Sequence, residues 1–163
     1  MQYINYYNSP IGRILLTSDG TALTGLFLEG EAWDLSPCDK KEDLSVFQQT
    51  KAWLDIYFSG DKPDFTPEIH TTGTEFQEEV WSILKTIPYG ETMTYGDIAK
   101  SIAASRGISR MSAQAVGGAV GSNPISIIVP CHRVLGSGGK LTGFASGLDN
   151  KIALLKTEKI LVD

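Results

Sequence analysis

Hydrophobic and polar positions divide the chain into a first half that predicts β-structure and a second half that predicts helices. Three runs rich in aromatic and branched residues predict strands at Tyr3–Tyr7, Arg13–Thr17 and Leu23–Leu28. The motif Ser18-Asp19-Gly20-Thr21 predicts a turn between the last two strands, because Gly20 tolerates a positive φ. The first half is therefore expected to contain a β-hairpin.

A loop, a helix and a linker are predicted to follow. The polar stretch Glu29–Lys41 predicts a loop, and Asp43–Ser59 carries apolar residues at the spacing of an amphipathic helix. Asp61–Thr74 combines two prolines and a glycine with polar residues, which is typical of a linker. We therefore expect two domains, 1–73 and 74–163.

Three helices are predicted after the linker. Thr74 opens a capping-box pattern, and Thr94 and Ser112 can cap the next two helices. A turn with Gly107 joins those two, which makes the pair a helix-turn-helix candidate. The last of the three extends to about Gly121 and is rich in glycine, which costs about 1 kcal/mol against alanine inside a helix. Close approach of another molecule and tight packing against a neighbouring helix both account for this composition.

The end of the chain carries the candidate reactive groups. Ser126–Val129 is a short, mostly β-branched run that predicts a buried strand or extended segment. It would deliver Cys131 and the residues that follow into the interior. A glycine-rich loop spans 136–143, and a closing helix ends at Glu158.

Charge is distributed unevenly along the chain. The net charge of -5 argues weakly against a nucleic-acid partner. Residues 1–73 carry five basic and eleven acidic side chains, whereas 74–163 carry nine and eight. Between Thr94 and Lys140 there are five basic side chains and one acidic one, so a local positive surface is compatible with an acidic protein. A solvated helical face accounts for the same charges.

Cysteine and histidine usage narrows the chemistry. The only cysteines are Cys38 and Cys131, and the only histidines are His70 and His132. Disulfide scaffolds use many more cysteines, so we expect two free thiols in a reducing compartment. No CxxC, HxxxH or HExxH motif occurs, and we expect no metal site. Short apolar runs and an N-terminus without signal-peptide character favour the cytoplasm and no membrane partner.

The setting of Cys131 favours a reactive thiol over a core residue, although a lone buried cysteine is more often the latter. Pro130 restricts the backbone before it, and His132 and Arg133 place polar and cationic groups beside it. A neighbouring cation lowers the pKa of a thiol from about 8.5 and raises the population of the reactive thiolate. We therefore expect a depressed thiol pKa.

The string Pro130-Cys131-His132-Arg133-Val134 resembles the active-site string of the O6-alkylguanine-DNA alkyltransferases. Further matches occur in family order over about Thr74 to Glu158, which is most of the second half. These are Tyr89-Gly90-Glu91, Thr94-Tyr95, Ala115-Val116-Gly117-Gly118, Asn123-Pro124, Ile127-Ile128-Val129 and Gly147-Leu148.

The resemblance implies an α/β plus α fold. The N-terminal domain would be a ribonuclease-H-like α/β domain with an antiparallel sheet, and the C-terminal domain a helical winged helix-turn-helix. The second helix of that motif would enter the minor groove of double-stranded DNA that contains O6-alkylguanine, where small side chains suit a narrow groove. The alkyl group of a flipped base would pass irreversibly to Cys131, once per molecule, in a monomer that needs no cofactor.

The resemblance also assigns roles to residues. Cys131 would accept the alkyl group, His132 would draw off the thiol proton through a water, and Glu158 would orient the histidine. Tyr95 would donate a hydrogen bond to the flipped guanine, and Asn123 would brace the active-site turn.

Backbone groups around Val134 and Ala145 would read the base edge, and Arg133 is expected to contribute to DNA binding. The chain departs from the family at Gln114, where relatives often carry an arginine that fills the space left by the flipped base. Either Gln114 fills this space, or Arg110, four residues earlier, contributes.

Three alternatives remain open. A non-catalytic sensor of alkylated DNA that recruits other repair factors would resemble this chain but lack the cysteine. A cysteine hydrolase would need Cys131 and His132 in contact, which adjacent residues on a strand do not achieve without a turn. A transcription factor would leave the string around the cysteine unexplained.

Overall fold

The computed structural model describes residues 2–31, 33 and 40–161. The first half forms a four-stranded sheet in the order β3-β2-β1-β4, and one helix packs on it. The elements are β1 (Tyr3–Ser9), β2 (Gly12–Ser18), β3 (Leu23–Phe27), β4 (Lys40–Lys41) and α1 (Ser45–Phe58).

The three predicted strands, the hairpin turn and the helix are confirmed. β1 and β3 each pair antiparallel with β2, while β4 pairs in parallel with β1. The prediction of a loop over Glu29–Lys41 was therefore wrong at Lys40–Lys41, where backbone pairing with the edge of β1 outweighs the polar composition. Cys38 lies outside the described residues.

The second half contains the helices α2 (Glu75–Leu84), α3 (Tyr95–Arg106), α4 (Ala113–Gly121) and α5 (Leu148–Thr157). Short strands β5 (Met93–Thr94) and β6 (Val134–Leu135) pair in parallel, and Cys131–Arg133 and Ser137–Gly139 form single 3-10 turns. The three predicted caps are confirmed: the side chains of Thr74, Thr94 and Ser112 each accept a hydrogen bond from a backbone N–H of the first turn. Gly107 ends α3 with a φ of 67° and begins the turn to α4.

Backbone hydrogen bonds along the outer edge of β3 connect the first half of the chain to the second. On this edge Leu23 N donates to Glu68 O at 2.8 Å, and His70 N donates to Leu23 O at 2.9 Å, so part of the predicted linker lies along the sheet. Further along the strand, Leu26 exchanges backbone hydrogen bonds with Pro124 and Ser126. The sheet therefore holds the segment that leads to Cys131.

One cluster of buried side chains runs through both halves, from Leu16 and Phe47 to Leu84, Ile98 and Leu154. The division into domains at residues 73 and 74 stays a prediction. Within the residues described, no helix is long and apolar enough to cross a membrane.

Candidate active site

Asn123 shapes the turn that precedes the reactive cysteine. Its side-chain Nδ2 donates to Val129 O at 2.8 Å, and its Oδ1 accepts from Ile125 N at 3.0 Å. Ser126–Val129 is consequently a turn, with Ile127 at a φ of 70°, and the predicted strand or extended segment was wrong. A buried side chain that satisfies the backbone groups replaces the pairing a strand would need. A left-handed conformation is strained for a β-branched residue such as Ile127, and the hydrogen bonds from Asn123 hold the turn in place around it.

Cys131 begins the 3-10 turn and lies at a cavity of about 310 Å³. The side chains of Asn123 and Ser126 also line this cavity, and only 6% of Cys131 is exposed. Burial raises the pKa of the thiol to about 11, and the polar side chains of Asn123 and Ser126 lower it by less. The remaining residues of the cavity wall come from α3, α4 and the loops around them: Glu31, Tyr95, Gly117, Val120, Gly121, Gly143, Phe144 and Ala145.

The expected depression of the thiol pKa was therefore wrong for the free protein. Arg133 does not face the sulfur, because its Nε donates to Glu158 Oε1 at 2.8 Å and its NH1 donates to Ile87 O at 2.7 Å. Its guanidinium is also buried and paired with Glu158, so it is not available for the predicted contact with DNA.

Glu158 accepts four hydrogen bonds, two on each oxygen. Oε1 accepts from Arg133 Nε and from Gly90 N at 3.0 Å, and Oε2 accepts from His132 Nε2 at 2.5 Å and from the Tyr57 hydroxyl at 2.7 Å. Burial alone would raise the pKa of this carboxyl, but the donors, led by His132, hold it at about 2. Burial lowers the pKa of His132, so the pair consists of a carboxylate and a neutral imidazole that donates from Nε2.

That tautomer leaves Nδ1 of His132 as a hydrogen-bond acceptor. Nδ1 is buried and bonds to no other group in the described part of the chain. A base, an orienting carboxylate and a thiol thus come from one 3-10 turn and the end of α5. Glu158, which the sequence placed at the end of the closing helix, is the residue that follows α5.

Comparison with known proteins identifies the family of this site. The model of the 6-O-methylguanine DNA methyltransferase ribonuclease-like domain matches residues 2–70, and that of the DNA binding domain of the same protein matches residues 75–160. The chain belongs to the 6-O-methylguanine DNA methyltransferase family. This confirms the resemblance and the predicted fold class.

Individual relatives of this family cover nearly the whole chain. A methylated-DNA--protein-cysteine methyltransferase from Haemophilus influenzae is 44% identical over 160 residues, which are 97% of this chain and 87% of the relative. The methylated-DNA--protein-cysteine methyltransferase from Methanosarcina acetivorans is 46% identical over 157 residues, which are 96% of this chain and 97% of the relative. The crystal structure of Mycobacterium tuberculosis OGT in complex with DNA superposes with a TM-score of 0.85 at 43% identity and covers 96% of this chain and 92% of that one.

Tyr57 is a site residue that the sequence did not reveal. It lies in α1, and its ring stacks on that of Trp53 with the two centroids 5.4 Å apart. Its hydroxyl reaches Glu158 and lies 3.3 Å from His132 Nε2. Burial and the adjacent carboxylate raise the pKa of Tyr57, so it remains a donor. The available signal was the hydroxyl itself, because a buried tyrosine needs a hydrogen-bond partner.

Lys151 is the second residue that was missed. It lies on the core face of α5 and is fully buried, with its Nζ donating to Thr142 O at 3.3 Å. Burial lowers the pKa of Lys151 to about 8, and its charge in turn lowers the pKa of the Cys131 thiol. A lysine at an apolar position of the helix pattern was the signal for it.

The candidate DNA face lies on α3, α4 and the Ser137–Gly139 turn, which border a groove of about 640 Å³. Tyr95 lines both this groove and the thiol cavity, and Gln114 lines the groove from the exposed side of α4. Arg110 is exposed but lies before α4 in a non-helical segment and borders a different groove. Arg110 is therefore not one helical turn before Gln114, because it lies outside α4.

The glycines of α4 distinguish between the two explanations of its composition. A Cβ added at Gly118 or Gly121 would meet nothing within 4 Å, and one at Gly117 would only touch the ring of Tyr95. These glycines are thus not required by a neighbouring helix, which favours the close approach of another molecule. Val134 is buried in β6 opposite Met93, and Ala145 lines the thiol cavity.

Proposed function

We propose that this protein repairs DNA by transferring the alkyl group of O6-alkylguanine in double-stranded DNA irreversibly to its own Cys131. The observation that carries the proposal is a buried thiol at a cavity that opens beside the glycine face of α4, next to the buried pair His132 and Glu158. The names of the relatives and the DNA complex of one of them support the same activity.

The chemistry requires the damaged nucleotide to leave the base stack, because O6 is not accessible to a buried thiol inside a duplex. The sulfur of Cys131 then attacks the alkyl carbon, a carbon–sulfur bond forms, and the carbon–O6 bond breaks with its electron pair going to the guanine. The thiol proton moves through a water to Nδ1 of His132, which Glu158 orients through Nε2. The Tyr95 hydroxyl donates to the departing guanine and disperses its negative charge.

The raised thiol pKa makes proton removal part of the reaction. With a pKa of about 11 the free protein holds Cys131 as an unreactive thiol at neutral pH. Deprotonation by His132 and the positive charge of Lys151 favour the thiolate once the substrate is bound. A thioether is not hydrolysed by water, so each molecule acts once.

The other site residues have supporting roles in this proposal. Asn123 braces the turn, backbone groups around Val134 and Ala145 read the base edge, and Arg133 holds Glu158 in place of contacting DNA. Gln114, on the exposed side of α4, fills the space that the flipped base leaves. We further propose that the protein works as a monomer in the cytoplasm, where a reducing environment preserves the thiol.

Intact mass spectrometry after mixing with an O6-methylguanine duplex tests the proposal. We expect a gain equal to one methylene group, a plateau at one equivalent, and the modification on Cys131 with none on Cys38. Cys131→Ser should bind the duplex and gain no mass, and an unmodified duplex should leave the wild-type mass unchanged. Repeated turnover, or tight binding without any mass gain, would contradict alkyl transfer; the latter is the behaviour of a sensor.

A further inference from the structure

Glu31 is the one charged side chain that lines the thiol cavity among the residues described. Of the described residues in the first half of the chain, it is also the only one that contributes to that wall. It lies in the loop after β3, which is an edge strand of the four-stranded sheet. Nothing in the alkyl-transfer chemistry uses it.

Two hydrogen bonds within the loop after β3 fix the position of this carboxylate. Glu31 N donates to Leu28 O at 3.1 Å, and Leu28 N donates to Glu31 Oε2 at 2.5 Å, so the side chain folds back on its own turn. Glu31 also lines an adjoining cavity of about 290 Å³, which shares Gly121, Asn123 and Ala145 with the thiol cavity. Glu31 thus belongs to the part of the wall that the two cavities share.

The charge of Glu31 acts on the contents of the cavity. No lysine or arginine in the described part of the chain forms an ion pair with it. Its negative charge raises the pKa of the Cys131 thiol, so it acts on the reactive sulfur. In a partly desolvated site, like charges a few ångströms apart repel strongly.

We propose that Glu31 determines which O6 substituents this protein removes: it disfavours acidic groups, such as carboxymethyl, relative to uncharged alkyl groups. This inference rests on the proposed function, since it concerns the substrate of the same site. An acidic substituent would meet the carboxylate directly, whereas methyl and hydroxyethyl groups would not be repelled.

Single-turnover transfer rates on matched duplexes test this assignment. The duplexes carry O6-methylguanine, O6-carboxymethylguanine or O6-hydroxyethylguanine, the last being an uncharged group of similar length to carboxymethyl. Glu31→Gln should raise the carboxymethyl rate relative to the methyl rate by about tenfold and leave the hydroxyethyl-to-methyl ratio unchanged. Glutamine keeps an oxygen that can accept from Leu28 N, so the loop is retained.

Glu29→Gln is the matched control, because its carboxylate accepts from Arg13 N at 2.7 Å and is not part of the cavity wall. It should change neither ratio. Unchanged ratios in Glu31→Gln, or an equal rise for hydroxyethyl, would overturn the assignment alone. Absence of methyl transfer by the wild-type protein would instead overturn the proposed function and this inference with it.

Discussion

Replacing Glu158 with glutamine converts one oxygen of a buried carboxylate into a nitrogen while the size of the side chain stays the same. An amide nitrogen donates hydrogen bonds and cannot accept them, yet each carboxylate oxygen faces two donors. Arg133 and the backbone N–H of Gly90 can only donate. The amide nitrogen should therefore turn toward Tyr57 and His132, which can both become acceptors.

This orientation changes the tautomer of the histidine. The Tyr57 hydroxyl can redirect its proton to Leu154 O, which lies 3.4 Å away. His132 can accept from the amide only if its proton moves from Nε2 to Nδ1. A protonated Nδ1 cannot take the proton of Cys131, so Glu158→Gln should lose the base.

We expect alkyl transfer by Glu158→Gln to fall by roughly 10²–10⁴ at neutral pH, by analogy with the loss of about 10⁴ when the aspartate of a serine-protease triad becomes asparagine. Activity should recover partly as the pH approaches the thiol pKa of about 11, because hydroxide can then ionise Cys131 directly. Single-turnover transfer across neutral and alkaline pH measures this. The nitrogen resonances of the His132 ring report the tautomer.

The same substitution has a cost in stability. It leaves the buried charge of Arg133 without its partner, which typically costs about 3–5 kcal/mol. The folded pKa of Glu158, about 2, lies below its ordinary value of 4.5, so its contribution is present above the ordinary pKa and is lost as the pH falls toward about 2. Urea unfolding should show that the variant lacks this acid-dependent loss.

Glu91→Gln, at an exposed residue beside Gly90, is the matched control and should behave as wild type. Transfer rates are compared at a temperature where urea unfolding shows both variants folded. A wild-type pH profile in Glu158→Gln, or a ring that keeps its proton on Nε2, would refute the relay.

Three further predictions concern Tyr57, Lys151 and Gln114. Tyr57→Phe should lower the free energy of unfolding by about 1.5–3 kcal/mol, as expected for a hydrogen bond to a charged group, whereas Tyr89→Phe, whose hydroxyl donates only to backbone oxygens, should cost less; equal losses in urea unfolding would contradict this. Lys151→Met should stabilise the protein at neutral pH by about 3 kcal/mol, because the folded pKa of about 8 lies below the ordinary 10.5, so burial of the charged amine is unfavourable at any pH below about 8. The same variant should react more slowly with iodoacetamide at a given pH, and an unchanged alkylation rate would exclude an effect of Lys151 on the thiol. Gln114→Arg should speed repair of duplex DNA more than of single strands in the mass assay, and an equal effect on both would argue against a role in filling the stack.

The sequence by itself determined the local elements of this protein. Strand alternation, the helical spacing of apolar residues and the caps at Thr74, Thr94 and Ser112 all depend on interactions within a few residues, so they can be read without a fold. The string around Cys131, with Glu158 at the end of the closing helix, identified the reactive centre by its resemblance to a family.

The tertiary structure decided how these groups act. Tyr57 meets Glu158 across 101 positions of the chain, and no local pattern connects them. Arg133 is turned to Glu158 and away from both the thiol and solvent, so the cation that should have activated Cys131 instead holds the carboxylate. The direction of a side chain and the burial of a charge depend on which elements pack together, and burial is what raises the thiol pKa where sequence proximity predicted that it would fall.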